Sequence, residues 1–78
     1  MNKVRILVVD DDRERRASLT HLLESAGYDV LIAQDGRHGL DLVQSGKPDA
    51  ILSDVRMPGM DGLEFQLKVR DICRVPVI

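Results

Sequence analysis

The sequence predicts an α/β domain built on a mainly parallel sheet, and three observations carry that expectation. Short apolar runs alternate with segments whose apolar residues recur at helical spacing, the pattern of consecutive βαβ units. The first run, Val4–Val9, is mostly apolar, and the third, Ala50–Leu52, is too apolar to have one face in water, as befits a strand covered on both sides. Gly27, Gly46 and Pro48 fall where helices should stop. With 78 residues there is room for one small domain, residues 1–78, which buries only about 60% of its unfolded surface.

Taken in order, Val4–Val9 is the first strand and runs into Asp10-Asp11-Asp12. A helix follows with Asp12 as N-cap. Its apolar stripe is Leu19, Leu22, Leu23 and Ala26, and Gly27 is its C′ residue. Tyr28–Ala33 is the second strand, with Asp35-Gly36 as the turn after it. A short second helix faces Leu40 and Val43 inward and ends at Gly46, before Pro48. The third strand, Asp49–Ser53, leads to Asp54 and the loop Met57-Pro58-Gly59-Met60-Asp61-Gly62, where proline fixes φ and glycines permit φ > 0. A third helix starts near Asp61-Gly62 and sets Phe65 four residues before Val69. Val75–Ile78 reads as a fourth strand. A parallel strand with nothing after it leaves an apolar edge and a bare sheet face, so the native chain is expected to be longer, and association through that face or edge, as a homodimer, is expected.

Composition excludes several functions. The chain is 44% hydrophobic and 31% charged, with net charge −2, an ordinary soluble balance that argues against nucleic acid or anionic lipid as a direct ligand. One cysteine, Cys73, permits no internal disulfide and fits a reducing compartment, and it reads as an inert small hydrophobe. His21 and His38 are the only histidines and read as exposed helix residues, so a Cys/His metal cluster is not expected. The sequence reads as having no membrane span or signal peptide, and a cytoplasmic location is expected.

The chemistry lies in the carboxylates. Parallel strands present their carboxyl ends on one rim, where open α/β sheets bind ligands. Asp10 and Asp11 end the first strand and Asp54 ends the third, so adjacent strands would bring three carboxylates together. Two like charges 4 Å apart repel by about 4 kcal/mol at an effective dielectric of 20, so such a group needs protons or a cation. An all-oxygen site with open positions suits Mg²⁺, beside which one carboxylate can act as nucleophile toward a phosphoryl group. The same carboxylates exclude dinucleotide binding, which requires a glycine-rich turn after the first strand, and no G-x-x-x-x-G-K-[ST] loop exists. One aspartate suffices to cap the first helix, so three exceed that structural role. Arg13, Arg15 and Arg16 read as a solvated helix face, with Arg13 the one placed to lean toward the acidic rim. Asp61 reads as an N-cap, Gly62 as a tight-turn residue, and Met57 and Met60 as loop packing.

Val8-Val9-Asp10-Asp11-Asp12 together with Leu52-Ser53-Asp54-Val55-Arg56-Met57-Pro58-Gly59-Met60-Asp61-Gly62 resembles the receiver domain of two-component response regulators. Asp35-Gly36, Pro48-Asp49 and Val75-Pro76-Val77-Ile78 also look like that family, so the resemblance covers the whole chain. It implies a flavodoxin-like doubly wound sheet of order 2-1-3-4, with the fifth strand and last helices absent. It implies that Asp54 accepts phosphate from a histidine kinase or phosphotransfer protein, without independent turnover. Asp11 would bind Mg²⁺ directly, Asp10 through water, with Asp54 and the Arg56 backbone carbonyl as further ligands. An output domain, often DNA-binding, would belong to the longer chain, and the wording around Asp54 is similar to receivers of sigma-54-type transcriptional activators. The family also carries a Ser or Thr ending the fourth strand and a Lys ending the fifth. Neither stands in this sequence, which implies a kept metal site without normal switching. Gln66 stands where the family is usually apolar, and Leu67 falls on a wetter face. Two alternatives remain at this point: a Mg²⁺-dependent phosphatase of haloacid-dehalogenase type, and a receiver-like scaffold that is not phosphorylated. The first is disfavoured because its Asp-x-Asp follows the first strand, whereas here the expected nucleophile ends the third and position 56 is Arg.

Overall fold

A computed structural model describes residues 3–53, 62–72 and 75–77. The described elements are β1 (Arg5–Val9), α1 (Arg13–Ser25), β2 (Asp29–Ala33), α2 (Gly36–Gly46), β3 (Ala50–Ser53) and α3 (Gly62–Ile72). The strands form a parallel sheet of order β2-β1-β3. Beyond β3, Val77 forms a single parallel bridge to Ile51, and the Ile51 N–H donates to the Pro76 carbonyl at 3.0 Å. The expected order 2-1-3-4 is thus met, with its fourth member a bridge among the described residues.

β1 is the central strand and is buried from Ile6 to Val9. Alternation divides it. Leu7 and Val9 join Ala33, Val43, Ile51, Phe65 and Val69 in the core beneath α2 and α3. Ile6 and Val8 lie on the opposite face, the side of Ile32 and α1. That burial on both faces is why β1 reads as a continuous apolar run.

α1 departs from expectation. None of its residues is buried, and Leu22 is 64% exposed. Leu19, Leu23 and Thr20 are half-buried toward the sheet, so the inward line of α1 is offset from the apolar stripe and Leu22 falls outside it. Gly27, at φ +96°, ends this helix as expected. β2 begins one residue later than predicted, at Asp29, whose N–H donates to the Val4 carbonyl.

α2 is capped by Asp35, whose carboxylate accepts from the His38 N–H at 2.8 Å. It ends at Gly46, as expected, and the next residue, Lys47, is left-handed at φ 46°. Pro48 is buried, and Asp49 ties the loop to β1: its carboxylate accepts from the Arg5 N–H at 2.8 Å and its own N–H donates to the Arg5 carbonyl at 2.7 Å.

α3 buries Phe65 and Val69 completely, as their spacing predicts. Gln66 is half-buried, whereas Leu63 and Leu67, one turn apart, are exposed. With Phe65 and Val69 pointing inward, Leu67 lies on the far side of the helix, in water.

Two substitutions test this packing. A Cβ at Gly39 would lie 2.9 Å from Phe65 Cε1 and 3.0 Å from Val9 Cγ2. Overpacking a core costs about 1–3 kcal/mol, against about 1 kcal/mol of helix propensity gained from alanine. Gly39→Ala is therefore expected to lower the unfolding free energy in urea titration by up to about 2 kcal/mol, and a gain in stability would refute the close approach. Lys47→Gly removes a left-handed non-glycine residue and is expected to stabilise by about 0.5–1 kcal/mol in the same titration, with a loss of stability as the contrary result.

Candidate functional site

The carboxyl ends of the strands are level. Val9 pairs with Ala33 on one side and with Ser53 on the other, so all three strands reach the rim in one row. The next residue on β1 is Asp10, whose N–H donates to the Ala33 carbonyl at 3.1 Å. Asp10 is 5% exposed and is the one buried charged residue among those described. Burial of a carboxylate is unfavourable unless it is hydrogen-bonded and paired, and Asp10 is both. Its Oδ1 accepts from the Asp12 N–H at 2.9 Å, and its Oδ2 lies 3.3 Å from Arg15 Nε.

Asp12 caps α1 as the sequence indicates, accepting from the N–H groups of Glu14 at 2.9 Å and Arg15 at 3.4 Å. Asp11 is exposed at the rim between the buried Asp10 and the cap. The three adjacent aspartates thus hold three different positions: Asp10 inside, Asp11 outward, Asp12 on the helix. Capping explains only the last of them.

The arginines correct the solvated-face reading. Arg15, rather than Arg13, leans over the rim. Its guanidinium lies 3.3 Å from Asp10, 3.9 Å from Asp11 and 3.7 Å from Asp12. Arg16 donates from Nη1 to the Asp10 carbonyl at 2.7 Å, fixing the backbone at the turn. The signal for Arg15 was in the sequence, since it stands at i+3 from Asp12 and i+4 from Asp11, the spacings at which helical side chains meet.

Of the residues expected to form the site, Asp10 and Asp11 are brought to the same rim. Asp54 and Arg56 lie outside the described residues, as does most of the loop that follows. Among the described residues, no group of three or more His, Cys, Asp or Glu side chains is arranged to hold a metal ion. The donors present nevertheless fit Mg²⁺: two hard carboxylates, one pre-oriented by a backbone N–H and one at the open edge, match an ion that takes one or two carboxylates and keeps several waters. His21 and His38 are exposed on their helices, as expected. Among the described residues, no helix is long and apolar enough to cross a membrane.

Comparison with known proteins places the chain in a family. The family model of the response regulator receiver domain matches residues 6–78. Response regulator MprA of Mycolicibacterium vanbaalenii is 57% identical over 67 residues, covering 86% of this chain and 29% of that protein. MprA of Mycobacterium tuberculosis is 52% identical over the same share of each chain. The chain therefore spans less than a third of the length of these curated relatives. Among solved structures, Vibrio cholerae chemotaxis protein CheY4 superposes with a TM-score of 0.94 at 39% identity, covering 97% of this chain and 66% of that one. The response regulator TrrA of Thermotoga maritima, solved in complex with Mg²⁺-BeF, gives a TM-score of 0.88 at 35% identity over 94% of this chain and 64% of its own. The strand order, the acidic turn after β1 and these matches agree, and the chain belongs to the response regulator receiver domain family.

Proposed function

We propose that this domain, residues 1–78, is a Mg²⁺-dependent phospho-acceptor, taking phosphate on Asp54 from a histidine kinase or phosphotransfer protein. The observation that carries this reading is the level register of Val9 and Ser53, with the buried Asp10 following the first. Asp54 follows Ser53 directly in the sequence, and Ser53 stands in the row that leads to Asp10. Asp10 and Asp11 would hold the cation, with Asp54 and the Arg56 carbonyl completing its ligands. Bound Mg²⁺ would neutralise charge on the phosphoryl group as it is transferred.

The chain's own residues do the rest. A carboxylate oxygen of Asp54 attacks the phosphorus of a phosphohistidine. The P–N bond breaks, a P–O bond forms, and the departing imidazole nitrogen keeps the electron pair and picks up a proton from solvent. The product is an acyl phosphate on this chain, so the protein is consumed and must be reset, unlike an enzyme with its own turnover. Asp10 is held by the Asp12 N–H and through its carbonyl by Arg16, which keeps its carboxylate oriented at the rim. An output domain in a longer chain would read the phosphorylated state, in the cytoplasm, as the family's role in signalling implies. The haloacid-dehalogenase reading draws no support from the relatives found, and the intact acidic rim weighs against a scaffold that is never phosphorylated.

Incubation with Mg²⁺ and acetyl phosphate, followed by intact mass measurement, tests the proposal. The wild type is expected to gain one phosphoryl group and Asp54→Asn none, with labelling lost in EDTA. Undiminished labelling of Asp54→Asn would rule out this acceptor, and continuous release of phosphate from a monoester would favour the hydrolase.

A further inference from the structure

The acidic rim already holds a cation of the protein's own. Asp10, Asp11 and Asp12 are consecutive, and carboxylates this close repel unless a positive charge stands among them. Arg15 supplies it: one guanidinium lies within 3.9 Å of all three, nearest to the buried Asp10 at 3.3 Å. The arrangement leaves Asp10 with both oxygens engaged, Oδ1 by the Asp12 N–H and Oδ2 by Arg15. A divalent cation approaching Asp10 and Asp11 meets a like charge already in contact with both.

The two basic neighbours differ in how easily they can leave. Arg16 is half-buried and bonds the Asp10 carbonyl, an anchor on backbone that does not occupy the carboxylates. The Arg15 side chain is 58% exposed, so it can swing into water and keep its charge solvated. The first is a fixture and the second is displaceable.

We propose that Arg15 is a built-in counter-cation that competes with Mg²⁺ for Asp10 and Asp11 and so sets the metal affinity of the domain. It is a positioning residue: without metal it holds the rim together, and with metal it must give way. This weakens Mg²⁺ binding relative to a rim with a neutral residue at position 15. It also makes the metal-free state more stable than three unpaired carboxylates would allow. The inference rests on the Mg²⁺ reading of the preceding section, and the two can fail separately.

The test is calorimetric titration of the protein with MgCl₂ alone, in wild type, Arg15→Gln, Arg15→Lys and Arg13→Gln. Arg13→Gln is the charge-matched control, since it removes the same charge from the same helical turn and, among the described residues, Arg13 makes no ion pair with the rim. Arg15→Gln is expected to tighten Mg²⁺ binding by about twofold to fivefold, the range that loss of one partly exposed ion pair can produce. Arg15→Lys should stay near wild type and Arg13→Gln should change much less than Arg15→Gln. Thermal melts give a second reading. In EDTA, Arg15→Gln should melt below wild type, and saturating Mg²⁺ should narrow or reverse that order. A purely structural role would lower the melting temperature equally with and without metal, and that result overturns the proposal. Equal affinities in wild type and Arg15→Gln would overturn it while leaving the Mg²⁺ site standing. Binding absent from every variant would remove the metal reading and this inference with it, whereas binding seen only in Arg15→Gln would support both.

Discussion

The structure depends on one strand. β1 is hydrogen-bonded on both edges and buried on both faces, so its position is set by β2, β3 and three helices at once. A strand so constrained has no freedom to slip in register, because a shift of one residue would exchange its two apolar faces. Its last residue therefore delivers Asp10 to a fixed place. The cost of burying that carboxylate is met locally, by the Asp12 N–H and the Arg15 guanidinium. Stability and chemistry meet at a single peptide, between Val9 and Asp10.

The turn after β1 shows how adjacent identical residues are given different work. Asp10 faces the interior, Asp11 faces solvent and Asp12 closes the first turn of α1. The hydrogen bond from Asp12 N–H to Asp10 links the cap to the buried carboxylate, so the helix start and the rim geometry are one structure. The opposite rim has its own fastening. There Asp49 exchanges two hydrogen bonds with Arg5, which sets the start of β1 against the start of β3 and keeps the carboxyl ends level.

Much of this was legible in the residues. The apolar runs located all three described strands, the turn residues located the helix ends within a residue, and Phe65 and Val69 were placed in the core by spacing. Asp10 and Asp11 were placed at one rim from strand polarity alone. Two readings went astray for identifiable reasons. Leu22 has the right period for an inward stripe, but periodicity does not say which angle of a helix meets the sheet. Arg13 is nearer the acidic run in sequence, yet the 3.6-residue turn carries Arg15 to the carboxylates.

What the sequence determined by itself was the order of elements, the parallel sheet and the acidic character of one rim, because these follow from short-range periodicity and the direction of strands. What only the tertiary structure decided was how the charges are shared. Burial of Asp10 against exposure of Asp11, and the reach of Arg15 to the buried Asp10, depend on where α1 packs over the sheet. Pairing energies depend on distances of a few ångströms between groups on different elements, and no local pattern contains those distances.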